Sequence, residues 1–214
     1  MTPLVAFPAM RRSLVAILRG IRPEEAGDTA AELVDAGFSA IEVPLNSPDP
    51  FTSIEAMARI APADCLIGAG TVLNTEDVER LYSAGGKLMV SPNVDGAVIQ
   101  RAGLRGMVTM PGVFTPTEAL CAVHYGASAL KFFPASVLGP SGIKAIMAVL
   151  PGGIGIGAVG GVGNDDFAAY AANGIRTFGL GSSLYKPGAS ASETGRLARQ
   201  AIAAYDAAFG LENS

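Results

Sequence analysis

The chain has no tryptophan, one histidine and two cysteines among its 214 residues, and only 16% of its side chains are charged. Each scarcity excludes a class of chemistry. A multi-histidine metal centre or a Ser-His-Asp triad would have to rest on His124 alone. That residue ends a helical pattern over 118–125, just before Gly126, where a basic side chain is an ordinary complement to the helix dipole. Cys65 and Cys121 are too few and too far apart for a zinc motif or a disulfide framework. The net charge of −4 comes with no basic run that would track a phosphate backbone, so nucleic acid is not an expected partner. No secretory leader pattern and no apolar run of membrane-spanning length occur, so no membrane partner is expected and the reading is cytoplasmic.

What is present is apolar and repetitive. Half the residues are hydrophobic, enough to bury one sizeable core, and no linker or low-complexity tract divides residues 1–214, which read as a single domain. Five helical patterns end in a glycine that leads into an apolar run. Gly37 precedes Ala40-Ile41-Glu42-Val43, Gly85 precedes Leu88-Met89-Val90, and Gly103 precedes Met107-Val108-Thr109. Gly126 precedes Ala129-Leu130-Lys131-Phe132, and Gly174 precedes Thr177-Phe178-Gly179-Leu180. A glycine just past a helix, then a short loop into a β-rich run, is the chemistry of a helix-to-strand turn. Gly37 to Gly85 and Gly126 to Gly174 are each 48 residues, about two units. Apolar runs over 14–18, 66–69 and 154–159 fill the gaps and bring the strands to eight. Eight strands alternating with helices in this length predict a closed α/β fold, the (β/α)8 or TIM barrel. The alternative is an open doubly wound sheet, which would be expected to carry a glycine-rich turn after its first strand. Leu18-Arg19-Gly20-Ile21 is not one. The chain beyond Ala207 is expected to fray.

In such a barrel the C-terminal strand ends converge on one mouth. Arg19, Glu42, Thr71, Ser91-Pro92-Asn93, Thr109 and Lys131 fall at those ends, and the last two strands run into Gly160-Gly161 and Gly181-Ser182-Ser183. Lys131 interrupts an apolar run. Burying an ammonium is costly, so such a lysine tends toward the neutral amine, which can attack a ketone to give an imine. The other reading is a strand-end lysine that reaches solvent. Glu42 also interrupts an apolar run: burial would raise its pKa, a nearby cation would lower it, and a group able to take and give a proton results. The alternative is a glutamate held by backbone amides or a salt bridge. The two glycine loops offer backbone amides to a phosphate, or are tight turns only. Asn164 is expected to cap the helix after Gly163, with Asp165 and Asp166 on its solvent side.

Gly126-Ala127-Ser128-Ala129-Leu130-Lys131-Phe132-Phe133-Pro134-Ala135 followed by Gly139 resembles the Schiff-base signature of the class I aldolases of the 2-keto-3-deoxy-6-phosphogluconate/4-hydroxy-2-oxoglutarate family. Gly68-Ala69-Gly70-Thr71-Val72-Leu73, Ser91-Pro92, Gly160-Gly161 and the Gly37 to Glu42 spacing resemble the same family, and the likeness runs over about residues 14–187. The resemblance implies that Lys131 forms the imine, Glu42 moves protons, Thr71 contacts the pyruvate part of the substrate and Phe133 walls the site. It also implies a phosphorylated keto sugar acid as substrate, the glycine loops as phosphate site, no metal or other cofactor, and a homotrimer. Gluconate-type members follow the glutamate with Thr-Leu-Arg and have threonine before the paired glycines. This chain has Pro44-Leu45-Asn46 and Val159, as expected of the galactonate-type branch. Without an arginine at position 46, Arg19 is the supplier of a cation for the substrate carboxylate. Pro92, Val159, Gly160, Gly161, Gly181, Ser182 and Ser183 complete the expected substrate site. A gluconate-type preference, a metal-dependent aldolase, a phosphate-binding isomerase and a sugar-phosphate sensor that binds without turnover are the alternatives.

Overall fold

A computed structural model describes residues 3–211. Its strands are β1 (Leu14–Ile17), β2 (Ala40–Pro44), β3 (Leu66–Gly70), β4 (Leu88–Val90), β5 (Val108–Met110), β6 (Gly112–Val113), β7 (Ala129–Phe132), β8 (Gly155–Val159) and β9 (Thr177–Leu180). The helices are α1 (Pro23–Ala36), α2 (Pro50–Ile60), α3 (Thr75–Ser83), α4 (Gly96–Leu104), α5 (Pro116–His124), α6 (Ala135–Met147), α7 (Phe167–Ala171) and α8 (Ala191–Phe209). All the strand pairs are parallel, in the order β5-β4-β3-β2-β1-β9-β8-β7-β6.

Nine strands make eight staves, because β5 and β6 are one stave interrupted at Pro111. β5 pairs with β4 and β6 with β7, while Ser128, Lys131 and Phe133 of the β7 stave donate their backbone N–H groups to the carbonyls of Thr109, Pro111 and Val113. Those bonds, with a one-residue slip in register between Ser128 and Lys131, join the two edges of the sheet and close the barrel. Proline has no N–H to donate, so the regular strand breaks there while its carbonyl still accepts.

Alternation along the strands sorts side chains between two apolar layers. Val15, Ala40, Leu88, Val90, Val108, Met110 and Ala129 pack together inside the barrel, with Val5, Phe7 and Met10 of the N-terminal segment against them. The opposite faces carry Leu14, Ile41, Ile67, Leu130, Phe132 and Phe178 into the larger layer under the helices. Phe132, Phe167 and Phe178 are fully buried there, each worth about 1.5–3 kcal/mol relative to an exposed side chain. This alternation positions the site: two residues above Ala40 and Ala129, on the same inward face, stand Glu42 and Lys131.

Three local expectations need correction. Gly103 lies inside α4, which runs on to Leu104, and the left-handed glycine of that turn is Gly106, with φ 75°. Asn164 does not cap its helix. It opens a short 3-10 turn (Asn164–Asp166) capped at Gly163, whose N–H donates to the Asp166 carboxylate at 2.8 Å; Asp165 is exposed, whereas Asp166 is half-buried by this bond. Finally, α8 continues past Ala207 to Phe209, whose ring stacks 4.4 Å from that of Tyr205, and Gly210 ends it in the left-handed region; residues 212–214 of the end expected to fray lie outside the described residues.

Candidate active site

A cavity of about 190 Å³ opens at the C-terminal mouth of the barrel. The strand ends bring Arg19, Glu42, Thr71, Pro92, Lys131 and Phe133 to its wall. From the next two staves come Val159, Gly160 and Gly161, then Gly181, Ser182 and Ser183, so the twelve residues expected to form the site line one space, whereas Ser91, Asn93 and Thr109 from the same strand ends do not. His124 closes α5 and meets Tyr125 edge-on, away from the cavity.

Lys131 is 7% exposed and is flanked in register by Gly112 on β6 and Gly157 on β8. The Met110 methyl packs over Gly157 and the Pro92 backbone over Gly112, so both neighbouring staves are closely filled beside the lysine. The amine Nζ stands 4.9 Å from the centre of the Phe133 ring. Burial holds its pKa below the ordinary lysine value; the Glu42 charge opposes that shift, and the Arg19 charge adds to it.

Glu42 is 2% exposed, and burial pushes its carboxyl up to about 7, against the opposing pull of Lys131, Arg19 and the Gly70 backbone. Its Oε2 atom is buried with no hydrogen-bond partner. A buried oxygen without a partner is costly unless something else satisfies it, so this atom is set to bind a proton or a donor that enters the cavity. The pair therefore joins a lysine biased toward the free amine to a carboxyl that titrates near neutrality.

The rim beside the Lys131 stave is made of bare backbone. Gly160 and Gly161 both lie at positive φ, 90° and 72°. A Cβ at 160 would press on the Phe133 ring, and one at 161 would collide with Ser136 Oγ, so the turn is fixed in a conformation and a space that only glycine fits well. Ser183 Oγ donates to the Val162 carbonyl at 3.3 Å, tying the loop after β9 to the loop after β8. Thr71 carries backbone strain, with φ at 58° on a β-branched residue, at the point where β3 enters the mouth.

Three lining residues were not anticipated: Ile17, Val162 and Gly179. Alternation gives a signal for two of them, since Ile17 follows inward Val15 by two and Gly179 follows Thr177 by two. A Cβ at Gly179 would strike both methyls of Val159 and the tip of Ile17, so those two side chains meet over a glycine and form an apolar patch in the wall.

The family model for KDPG and KHG aldolase matches residues 9–198. Over 206 residues the chain is 65% identical to the probable 2-dehydro-3-deoxy-6-phosphogalactonate aldolase of Rhizobium meliloti (strain 1021), covering 96% of this chain and 97% of that one. It is 47% identical over 192 residues to the 2-dehydro-3-deoxy-6-phosphogalactonate aldolase of Escherichia coli (strain K12), covering 90% and 94%. A solved structure described as native KDPGal superposes with a TM-score of 0.93 at 44% identity, covering 97% of this chain and all of that one (100%).

Proposed function

The chain belongs to the KDPG and KHG aldolase family, an enzyme family of carbon-carbon lyases, and from that membership we propose that it cleaves 2-dehydro-3-deoxy-6-phosphogalactonate to pyruvate and D-glyceraldehyde 3-phosphate through an imine on Lys131. The observation that carries the imine is the buried amine of Lys131 sharing one cavity with the buried carboxyl of Glu42.

The neutral amine attacks the C2 ketone, and loss of water leaves a protonated imine whose nitrogen draws electrons from C3. Glu42, directly or through a water, takes the proton of the C4 hydroxyl. The C3–C4 bond then breaks: its electron pair enters the enamine, C4 becomes the aldehyde carbon, and glyceraldehyde 3-phosphate leaves. The enamine takes a proton at C3, and water hydrolyses the resulting imine, releasing pyruvate and the lysine. Arg19 receives the C1 carboxylate, Thr71 and Pro92 bound the pyruvate half, and Phe133 covers the amine. The backbone of Gly160, Gly161, Gly181, Ser182 and Ser183 receives the phosphate. Val159 presents methyls rather than a hydroxyl at the wall, which supports the galactonate-type epimer over the gluconate-type one.

Borohydride reduction in the presence of pyruvate, followed by mass spectrometry of the Lys131 peptide, tests this reading. An adduct on Lys131 that is lost in Lys131→Ala together with turnover is expected. No adduct, with turnover retained in the variant, rejects the imine.

We take residues 1–214 as one catalytic domain. A cytoplasmic location is supported by the free thiols of Cys65 and exposed Cys121, which suit a reducing compartment. Among the described residues no helix is long and apolar enough to cross a membrane. A homotrimer is carried over from the family resemblance; exposed Leu73, Phe114 and Val137, on the loops and first helical turn that follow β3, β6 and β7, offer apolar surface for self-association. Light scattering gives the mass that decides it.

A further inference from the structure

We propose that Asn46 is a positioning residue for Arg19: its side-chain oxygen aims the guanidinium at the mouth of the barrel while leaving the positive charge unneutralised.

Arg19 Nη1 donates to Asn46 Oδ1 at 2.6 Å, and both side chains are exposed at the rim. Arg19 lines the cavity and Asn46 does not, so the contact is made from behind. Guanidinium only donates and the amide oxygen only accepts, so the direction of this bond is fixed by the chemistry of the two groups. An exposed arginine otherwise samples many rotamers, and a charge-assisted hydrogen bond removes that freedom before a ligand arrives.

The backbone under this contact is itself latched. β1 and β2 are neighbours with Ile17 opposite Glu42, so the loops that follow them leave the barrel side by side. Buried Ser47 accepts the Gly20 N–H on its Oγ at 2.9 Å, and the Ser47 N–H donates to the Pro44 carbonyl at 2.9 Å. The residues next to Arg19 and Asn46 are thus joined to one another, and the side-chain bond sits on a fixed base.

The identity of the acceptor is the point. A carboxylate at position 46 would hold the guanidinium at least as firmly but would cancel its charge. The amide holds without cancelling. That charge has two uses: it attracts the substrate carboxylate, and it disfavours the ammonium form of Lys131. The charges that Lys131 senses are Glu42 from β2, which favours its protonation, and Arg19 from the loop after β1, which opposes it. The inference rests on the reading that Arg19 receives the carboxylate.

The test uses the full-length enzyme and pyruvate, which has the carboxylate and the ketone but no phosphate. Wild type, Asn46→Ala, Asn46→Asp and Arg19→Ala are compared by borohydride trapping on Lys131 against pyruvate concentration and pH, and by KM and kcat for cleavage. Thermal melts confirm that each variant folds. Asn46→Ala is expected to raise the half-saturating pyruvate concentration and KM by about tenfold, with kcat nearly unchanged. Asn46→Asp keeps the hydrogen bond and the shape, yet is expected to weaken pyruvate at least as much. It should also move the acid limb of the trapping profile to higher pH, which Asn46→Ala should not.

If position 46 matters for loop structure alone, the isosteric Asn46→Asp behaves as wild type in both affinity and pH profile, and the inference is overturned. If Arg19→Ala weakens pyruvate while both Asn46 variants do not, the inference fails and the carboxylate role of Arg19 stands. If Arg19→Ala leaves pyruvate binding unchanged, that role is lost and the inference with it, while trapping on Lys131 in the wild type still reports separately on the imine.

Discussion

The Glu42 carboxyl lies directly across the backbone of Gly70, so that a Cβ at position 70 would fall within the carboxyl group itself. Glu42 stands in the middle of β2 and Gly70 closes the adjacent β3, where it is still paired with Pro44. Gly70→Ala is therefore expected to swing the carboxyl out of place. Overpacking of this kind costs about 1–3 kcal/mol of stability, while a displacement near 1 Å at a reacting group costs on the order of 10²-fold in rate. Turnover should fall far more than melting temperature. A variant with wild-type kcat would mean that the orientation of Glu42 is immaterial to the reaction.

Glu42 also sets a pH dependence of stability. Its carboxyl is pushed from 4.5 up to about 7 by burial, so within that window the folded protein keeps a proton that the unfolded chain has released. Native stability must then fall as pH rises through the window and level off above it. Glu42→Gln has no such proton to keep. Relative to wild type, the glutamine variant should gain roughly 3 kcal/mol between the two limits, from the shift in pKa. Urea unfolding at several pH values measures this, and two curves that stay parallel would show that folding does not raise the pKa of Glu42.

Val159 and Ile17 meet over Gly179 and make one part of the wall apolar. Val159→Thr keeps the shape and adds a hydroxyl, a partner for a substrate hydroxyl that valine cannot offer. The ratio of kcat/KM for the gluconate-type epimer to that for the galactonate-type one should rise by about tenfold, the scale of one hydrogen bond. Steady-state rates on both epimers decide it, and an unchanged ratio would move stereochemical control elsewhere in the site.

At the proposed phosphate rim, Gly161→Ala combines strained φ with a collision against Ser136 Oγ. The expected result is a higher KM for the phosphorylated substrate with little change in the trapping of pyruvate, which has no phosphate. Equal losses for both ligands would indicate that the glycine pair supports Lys131 instead.

Much of this architecture is legible locally. The glycine turns and the apolar runs recur at a spacing that admits eight staves, and Lys131 and Glu42 declare themselves by interrupting runs that must be buried. What local pattern misses are exchanges between neighbouring residues with equal claims. Gly103 and Gly106 both stand near the end of α4; Gly103 stays helical with Leu4 packed against it, and Gly106 takes the left-handed turn. Asn164 and Gly163 compete for one cap, and the reach of Asp166 back to Gly163 N–H decides it.

By itself the sequence determined the eight apolar runs and the polar residues at their ends that line the mouth, because apolar runs and glycine turns are properties of adjacent residues. Only the closed barrel decided that Lys131 shares its burial with Glu42, that Pro111 splits a stave without opening the ring, and that Arg19 leans on Asn46. Those are relations between segments far apart in the chain. They arise when parallel pairing of successive strands brings all their ends to one mouth, and no periodicity along the chain encodes which atoms then come within bonding distance.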